Sequence, residues 1–433
     1  MRRVSRGRAA WIAAAIALCN INASADAPPL TLDDALRIFR TSGFDLLIAD
    51  AAVESARADV TIAGALPNPS FNLSSGTSST YDPSQCAGCS NRSVSAGVSD
   101  PAISDLISGR RRLRESVARQ ALVISRRSRG DVERTLELTL KRQLLQAELA
   151  KKAFDFARQA EALSSEAFDL TQKRYRAGAI SEADVARADV QRLEAGQARD
   201  SSRQAFDAAK SQVAFLLGIK DARPESLDVA DELTRATPAL TFAREAIYRT
   251  ALEHRPDLAA AQSQIARASS SVELARRLRV PDFSSSLQYS REGRGQSAIQ
   301  PPTVTFGLTT TLPVFYRYRG ELAKAKSDLR TQEIAHSRIE AQINADVNAA
   351  FAAFISAGSR LDRMESRLLP QASRARDLVR LQYEKGATSL FEFLDAQRTY
   401  LATQNEFLQN LNDYWSAVFQ LEQAAGVELR NER

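Results

Sequence analysis

An internal duplication constrains the fold of this chain more than any other feature of its sequence. The two halves match at an offset of about 210 residues, and this offset drifts by only about four residues over most of each half. The matching segments are Pro69-Ser70-Phe71 with Pro281-Asp282-Phe283, Pro101 with Pro313, residues 175–181 with residues 383–389, and Gly218-Ile219 with Gly426-Val427. The sequence therefore predicts two copies of one structural unit.

Each half shows the same order of local patterns. A pair of helical segments comes first, followed by a break at a proline, two short alternating segments and a very long helical stretch. The predicted helical pairs cover residues 31–42 with 45–65 and residues 240–254 with 257–279, and the long stretches cover residues 104–174 and 316–382. A helix of ~70 residues extends ~105 Å, which no single compact domain requires.

The alternating segments predict β-strands with one apolar face. In the clearest of them, residues 303–312, the apolar side chains Val304, Phe306, Leu308 and Leu312 share one face, and threonines alternate with them. The other strands are predicted at about 69–79, 92–100 and 282–291. Strands of about ten residues with one apolar face and one Ser/Thr face are typical of membrane β-strands.

The last helical segment carries a heptad repeat, which indicates coiled packing against neighbouring helices. One row of the repeat is Leu394, Leu401, Leu408 and Trp415, and its partner row is Leu411, Val418 and Ala425. Together these patterns predict a mainly α fold with a small β part, in which a helix–strand–strand–long helical hairpin unit is duplicated.

The first 25 residues have the pattern of a secretory signal peptide. Four arginines precede a short apolar run, and a small-x-small site ends at Ala25. Lipidation at Cys19 is an alternative, although Leu18 stands where a small residue is normally required. No later segment has 18 consecutive apolar residues, so no transmembrane helix is predicted.

The expected organisation is a signal peptide at 1–25, a first repeat at 26–219, a linker at 220–239, a second repeat at 240–427 and a tail at 428–433.

The composition argues against several classes of function. The formal charge is +6, and four arginines lie in the predicted signal peptide, so nucleic acid is not an expected partner. The sequence shows no nucleophile–base set, phosphate loop or dinucleotide fingerprint, so neither enzymatic activity nor a cofactor is expected. Two His, three Cys and two Met are too few for a dedicated multi-metal store, and one CxxC lacks the four ligands of a structural zinc site, so no metal site is expected.

Four strands per chain are too few to close a membrane barrel, since the smallest barrels use about eight. An open sheet edge is not viable in lipid. The strands are therefore either pooled by oligomerisation, which among three chains gives about twelve strands, or part of an ordinary soluble sheet.

The duplication, the order of elements and the twin turns resemble the TolC-like outer-membrane factors of bacterial efflux and type I secretion. The resemblance covers nearly all of the mature chain, and the twin turns are Tyr-Arg-Ala-Gly-Ala-Ile-Ser at 175–181 and Tyr-Glu-Lys-Gly-Ala-Thr-Ser at 383–389. It implies a homotrimer with a shared 12-stranded transmembrane β-barrel in the outer-membrane lipid of a Gram-negative cell and a trimeric α-helical tunnel in the periplasm. It also implies a periplasmic adaptor (membrane fusion) protein and an inner-membrane pump of the RND or ABC type as partners.

Gly178 and Gly386 have two interpretations. As structural residues they end helices, because glycine adopts the left-handed conformation without steric cost. In the family these turns form the periplasmic tip at which the adaptor docks. The resemblance therefore implies adaptor contacts at Tyr175, Gly178, Ala179, Ile180, Ser181, Gly386, Ala387, Thr388 and Ser389.

Glu392 and Asp395 are three residues apart and therefore share one helix face. They are either first-turn acids stabilised by the helix dipole, with Ser389 or Thr388 as the cap, or, as the resemblance implies, the tunnel constriction. In a trimer the second interpretation gives two rings of carboxylates that attract cations.

Asp184 and Tyr383 match family positions that join the two helical hairpins when the tip is closed, so the resemblance implies a Tyr–carboxylate hydrogen bond as a tip lock. Thr388 stands where some relatives carry a basic linking residue. In the first inter-strand loop, Cys86 and Cys89 form a CxxC pair. At an oxidising location this spacing favours a short disulfide over a metal site or a pair of free thiols.

The sequence thus predicts the outer-membrane exit duct of a tripartite efflux or type I secretion system, a passive channel opened at its periplasmic tip by the adaptor and driven by the pump. The alternative is a secreted coiled-coil structural protein or adhesin, but such a protein would not explain the two pairs of predicted strands. A periplasmic binding protein would need compact α/β units. The sequence does not distinguish between metal ions, drugs, aromatic compounds and proteins as the transported substrate.

Overall fold

The computed structural model describes residues 29–77, 92–220, 227–233, 243–291 and 302–429. The predicted signal peptide with Cys19, and the candidate disulfide between Cys86 and Cys89, lie outside the described residues.

Helices and strands follow the same order in both halves of the chain. The first half contains α1 (Leu32–Ser42), α2 (Phe44–Gly64), β1 (Ser70–Thr77), β2 (Arg92–Asp100), α3 (Ala102–Ser108), α4 (Arg110–Arg176) and α5 (Glu182–Leu216). The second half contains α6 (Arg244–His254), α7 (Pro256–Arg277), β3 (Asp282–Arg291), β4 (Thr303–Thr311), α8 (Arg319–Arg363), α9 (Leu369–Glu384) and α10 (Leu390–Ala425). This order confirms the predicted duplication and the mainly α fold with a small β part.

The predicted long helical stretches, 104–174 and 316–382, are confirmed over most of their length, but each contains one irregularity. Gly109 adopts a left-handed conformation with φ 67° and separates α3 from α4. A π-helical turn, Met364–Leu368, separates α8 from α9. Pro370 explains this second break, because proline has no N–H to donate to the carbonyl four residues earlier.

The described residues fall into two compact units, each of which draws on both halves of the sequence. Unit 1 takes its described residues from 1–44, 136–241 and 350–421, and unit 2 takes them from 45–135, 242–349 and 422–433.

Unit 2 contains a four-stranded antiparallel sheet with the order β1-β2-β3-β4 among the described residues. The register aligns two apolar rows across the sheet, namely Phe71, Val98, Leu287 and Phe306, and Leu73, Ala96, Tyr289 and Val304. These side chains share one face, and the large ones are exposed, with Phe306 at 73%. Serine, threonine, asparagine, glutamine and glycine occupy the other face. The predicted alternation is thus confirmed, and the large side chains of the apolar face are exposed together with most polar residues of β1 and β4.

Two arginines at the start of α4 form hydrogen bonds with backbone carbonyls at the ends of the helices that precede the strands. Arg110 donates to the carbonyls of Arg277 and Val280, at 3.1 and 2.5 Å, and pairs with Asp282 at the start of β3. Arg111 donates to the carbonyl of Gly64 at the end of α2, at 2.6 Å. Cations are favourable at these positions because the C-terminal carbonyls of a helix carry partial negative charge.

In each half, the long helical hairpin ends at a left-handed glycine that lies against the first helix of the same half. Gly218 has φ 77°, and a Cβ at this position would lie 2.1 Å from the carbonyl oxygen of Ser42. Gly426 also has φ 77°, and its Cβ would lie 3.3 Å from the backbone nitrogen of Arg255. Only glycine fits such a contact at Gly218 without movement of the backbone.

The heptad rows of α10 are buried in the C-terminal half of the helix. Leu408, Leu411, Trp415 and Val418 are buried, whereas Leu394 and Leu401 are half-buried. The row that contains Leu411 continues towards the N-terminus of the helix with Gln404 and Gln397, which are also buried. Buried amides at core positions of a coiled coil fix the register of the helices at a cost in stability.

A short segment of unit 1, residues 227–233, is fastened to α4 through Glu148. The Leu233 N–H donates to Glu148 Oε2 at 2.9 Å, and Lys151 binds Asp228 at 2.7 Å. Glu148 is 1% exposed, and its Oε1 has no hydrogen-bond partner among the described residues. Burial, reinforced by the nearby charges of Asp231 and Glu232, raises the pKa of Glu148 from 4.5 to about 7.

This pKa predicts a pH-dependent stability. The folded chain holds the Glu148 proton more tightly than the unfolded chain, so the free energy of unfolding should fall as the pH rises from 4.5 to about 7 and then level off. Glu148→Gln keeps an acceptor for the Leu233 N–H and cannot ionise, so its thermal midpoint in detergent should lose this pH dependence. Glu194→Gln, which changes an exposed glutamate of α5, is the control and should keep it. Equal pH profiles for wild type and Glu148→Gln would contradict the assignment.

Candidate functional site

The twin turns, residues 175–181 and 383–389, share one backbone geometry and are here called the tip turns. In the first, the Ala179 N–H donates to the Arg174 carbonyl at 3.0 Å, and Gly178 has φ 72°. In the second, the Ala387 N–H donates to the Gln382 carbonyl at 2.8 Å, and Gly386 has φ 76°. Bonds of this type belong to the Schellman motif that ends helices. The C-cap interpretation of both glycines is therefore confirmed.

The helix that follows each tip turn begins with a capping box. Ser181 accepts from the Asp184 N–H, and the Asp184 carboxylate accepts from the Ser181 N–H. Likewise Ser389 accepts from the Glu392 N–H, and Glu392 Oε2 accepts from the Ser389 N–H, each at 3.3 Å. Asp184 and Glu392 are thus equivalent positions of the duplication, and each satisfies backbone donors that would otherwise be free.

Tyr383 lies in a small apolar cluster between α4, α9 and α10, together with Ala167, Leu390 and Phe393. It is 1% exposed, and its ring stacks on that of Phe393 at 5.0 Å. Its hydroxyl lies 3.4 Å from Thr171 Oγ1. The side chain of Asp184 instead binds Ser181 and Arg187. Within this chain, therefore, the two residues of the predicted tip lock have other partners.

Glu392 and Asp395 are both exposed on α10. Glu392 is engaged by Thr388, whose hydroxyl donates to its carboxylate, as well as by the backbone of Ser389. The first-turn interpretation of Glu392 is thus correct, and it leaves the carboxylate at the surface.

Most other residues of the tip turns are open to solvent. Gly178, Ala179, Ser181, Gly386, Ala387 and Ser389 are exposed, Tyr175 is 42% exposed, and Ile180 and Thr388 are half-buried. A Cβ on Gly178 would meet no atom within 4 Å. The tip turns thus present backbone and small side chains on an accessible surface.

Comparison with known proteins identifies the family. The sequence profile of the family described as outer membrane efflux protein matches residues 39–219 and 247–427. The chain belongs to the outer membrane efflux protein family. Both halves of the duplication match the family separately, in the segments that carry the tip turns.

Similar proteins extend over nearly the whole chain. The cobalt-zinc-cadmium resistance protein CzcC of Cupriavidus metallidurans is 24% identical over 413 residues, which cover 92% of this chain and 91% of CzcC. The pyoverdine export outer membrane protein OpmQ of Pseudomonas aeruginosa is 28% identical over 400 residues, which cover 87% of this chain and 81% of OpmQ. The crystal structure of the Campylobacter jejuni CmeC outer membrane channel has the same fold, with a TM-score of 0.75 over 92% of this chain and 86% of CmeC at 16% identity.

Membership of the family confirms the predicted function class, efflux through the outer membrane, and the outer-membrane location. The family consists of membrane channel proteins and not of enzymes. This decides against the adhesin and binding-protein alternatives. In the described part of the chain, no cluster of three or more His, Cys, Asp or Glu side chains is placed to hold a metal ion. Among the described helices, none combines the length and apolarity needed to cross a bilayer.

Arg174 lies beside both tip turns, and no motif in the sequence marks it as a candidate. Its guanidinium carbon is 4.7 Å from the centre of the Tyr383 ring, and its Nη1 donates to the Tyr383 carbonyl at 3.2 Å. A cation in the last turn of a helix is a recognisable capping signal, but its partner on another helix, 209 residues away, leaves no trace in the local sequence.

The glycines at the two ends of α5 give a paired prediction. Gly178→Ala places a Cβ in open space, so it should cost only the left-handed strain of about 1 kcal/mol. Gly218→Ala brings a Cβ against the Ser42 carbonyl and should lower the free energy of unfolding by about 3 kcal/mol more. Thermal melting of the purified protein in detergent measures the difference. Equal losses for the two variants would contradict the packing described for Gly218.

Proposed function

We propose that this chain is the outer-membrane exit duct of a tripartite efflux or type I secretion system and works as a homotrimer. The observation that carries the proposal is the exposed apolar face of the sheet in unit 2, on which Phe71, Leu73 and Phe306 are each at least two-thirds exposed. A continuous exposed apolar face marks a surface that is covered in the working protein. In an outer-membrane protein, lipid is the natural cover.

The edges of the sheet support the trimer. Within the described sheet, β1 and β4 each pair on one side only. Unpaired backbone groups are not tolerated in lipid, so the sheet must be completed by strands from other copies. Three chains with four strands each give twelve strands, an even number within the range of outer-membrane barrels.

The tip turns support the second part of the proposal, that a periplasmic adaptor protein docks there and opens the channel. Their small, exposed residues and the free space around Gly178 allow another protein to approach the backbone closely. The energy for transport comes from an inner-membrane pump of the RND or ABC type, and the duct conducts passively.

Glu392 and Asp395 form the constriction in this proposal. Both carboxylates are exposed on one face at the start of α10, and a three-fold axis turns each into a ring. Rings of carboxylates concentrate cations and narrow the path for anions.

Cargo selection is assigned to the pump and the adaptor. The names of CzcC and OpmQ tie these relatives to resistance to cobalt, zinc and cadmium and to export of pyoverdine. Because relatives of one family are named for such different cargoes, we infer that the duct does not coordinate the substrate that passes through it.

The mass of the detergent-solubilised protein from the outer-membrane fraction tests the assembly. Light scattering should give about three times the mass of the mature chain, because only pooled strands satisfy the sheet edges. Recovery as a soluble monomer would contradict both the trimer and the shared barrel.

Neutralising the acids tests the constriction. The double variant Glu392→Gln with Asp395→Asn keeps a capping acceptor at position 392 and removes both charges. Its single-channel conductance in a planar bilayer should therefore differ from that of wild type. Its selectivity for cations over anions should fall about twofold or more. Glu182→Gln, an exposed first-turn acid of α5, is the control and should leave selectivity as in wild type. Unchanged selectivity in the double variant would remove Glu392 and Asp395 from the constriction.

A further inference from the structure

The connections between helices and strands in unit 2 all meet at one edge of the sheet. β1 begins at Ser70 and β3 at Asp282, whereas β2 ends at Asp100 and β4 at Thr311. The antiparallel register pairs Ser70 with Ser99 and Asp282 with Thr311, so these four strand ends lie at the same edge. The connections and the helix ends beside them, residues 65–69, 101–115, 276–282 and 312–321, are here called the junction rim. The whole rim belongs to unit 2.

Helix α3, which lies in the junction rim, has its polar side chains inside and its apolar side chains outside. Ser104, Asp105 and Ser108 are buried, whereas Leu106 is 66% exposed and Ile107 is 58% exposed. A helix that lies between a protein core and water has the reverse arrangement. The outer face of α3 therefore fits an apolar surrounding better than it fits water.

The buried polar groups of α3 have partners within the chain. The Asp105 carboxylate accepts from Arg114 at 2.9 and 2.5 Å, and Ser104 Oγ donates to Asp282 Oδ1 at 2.7 Å. Ser108 Oγ donates to the carbonyl of Ser104 at 2.7 Å. Because these groups do not depend on water, a membrane beside α3 would leave them hydrogen-bonded.

The second copy of the duplication presents apolar side chains at the equivalent place. Pro313 matches Pro101 at the offset of 212 residues, and an irregular segment follows it where α3 follows Pro101. In this segment Val314 is 65% exposed, Phe315 is fully exposed and Tyr316 is 52% exposed. The segment comes directly after β4, so both copies extend the exposed apolar face of the sheet into the rim.

The segment that presents Phe315 is fixed by its neighbours. The Tyr316 hydroxyl donates to Glu321 Oε2 at 2.7 Å and accepts from the Gly320 N–H at 3.1 Å. The rings of Tyr316 and Tyr318 lie 5.7 Å apart, and Tyr318 has φ 53°. A tyrosine seldom adopts this left-handed conformation and needs its surroundings to hold it. The exposure of Phe315 is thus built into the fold.

The junction rim also carries an excess of positive charge. It contains nine arginines and four acidic residues. Each acid is already bound by another residue: Asp105 by Arg114, Glu115 by Arg119, Asp282 by Arg110 and Glu321 by Tyr316.

Five arginines of the rim are exposed and have no ion-pair partner in the part of the chain that the structure describes. They are Arg112, Arg277, Arg279, Arg317 and Arg319. Exposed cations without counter-ions attract anions from their surroundings. The rim therefore combines an apolar surface with a basic one, and its partner must supply both acyl chains and negative charge.

We propose that the junction rim binds the anionic phospholipids of the membrane leaflet from which the long helices emerge. In this proposal Leu106, Ile107 and Phe315 enter the edge of the acyl-chain region, and the exposed arginines bind the headgroup phosphates. Arginine suits this place because its stem can lie in lipid while its guanidinium stays in the headgroup layer and binds phosphate. The inference rests on the proposed function, since it takes the apolar face of the sheet as the surface in lipid.

Quenching of tryptophan fluorescence by brominated phospholipids tests the proposal. The full chain with Phe315→Trp is placed in phosphatidylcholine vesicles in which an equal fraction of lipid is brominated phosphatidylglycerol or brominated phosphatidylcholine. Phosphatidylglycerol should quench about threefold more strongly, because each arginine near the surface favours anionic lipid, and high salt should reduce the difference. Wild type, whose Trp415 is buried in unit 1, gives the background.

Charge removal on α8 shows whether the preference belongs to the rim. Arg317→Gln with Arg319→Gln, added to Phe315→Trp, should lower the preference for phosphatidylglycerol about twofold or more. Arg330→Gln with Arg338→Gln is the matched control, since both are exposed arginines of α8 that lie ~17 Å or more farther along the helix. The control should keep the preference, and an equal loss in both double variants would overturn the assignment to the rim.

A second reporter separates the failure of this proposal from the failure of the proposed function. Phe306→Trp lies on the apolar face of the sheet and should be quenched by both lipids. If neither lipid quenches it, the sheet is not in lipid, and the proposed function falls together with the rim. If Phe306→Trp is quenched but Phe315→Trp is not, or is quenched equally by both lipids, the rim proposal is overturned and the duct stands. This comparison needs no arginine variant, so it decides the question even if those variants do not fold.

Discussion

The unpaired edges of the four-stranded sheet are the constraint on which the rest of the structure depends. Among the described residues, β1 and β4 each have one neighbouring strand, and Phe71 and Phe306 on these strands face outward without cover. Each unsatisfied backbone group in lipid costs several kcal/mol. In the proposed outer-membrane duct this sheet is therefore incomplete, and strands from other copies of the chain complete it. In such an assembly every exposed acid such as Glu392 is repeated around one symmetry axis.

The capping residues of the tip turns are also the residues to which a function is proposed. Asp184 and Glu392 are equivalent in the duplication, and each closes a capping box at the start of a helix. The resemblance to TolC-like factors assigns one to a lock and the other to a constriction. Since a capping acid keeps its charge at the surface, the two roles are compatible for Glu392. For Asp184 the cap occupies the carboxylate, so within one chain a lock through Tyr383 competes with the stability of α5.

Features with a short sequence period were predictable, and features that depend on long-range contacts were not. The alternation in β4 and the glycine turns at Gly178 and Gly386 follow from local rules, and the structure has them where the sequence predicted them. The π-helical turn before Pro370 could have been predicted from the sequence, because a proline inside a helical pattern signals a break. The buried carboxylate of Glu148 and the partners of Arg110 and Arg174 lie on distant segments, and periodicity carries no information about them.

The two copies of the duplication have diverged at the tip turns, so equivalent residues have different surroundings. Arg174 lies over the ring of the buried Tyr383, while Gln382 and the exposed Tyr175 occupy the equivalent positions. The Tyr383 carbonyl accepts from Arg174 as well as from the Gly386 N–H. A guanidinium that stacks on a ring and donates to a carbonyl in the last turn of a helix stabilises the end of α9. Gln382 has no guanidinium, so it cannot give the end of α4 the same support.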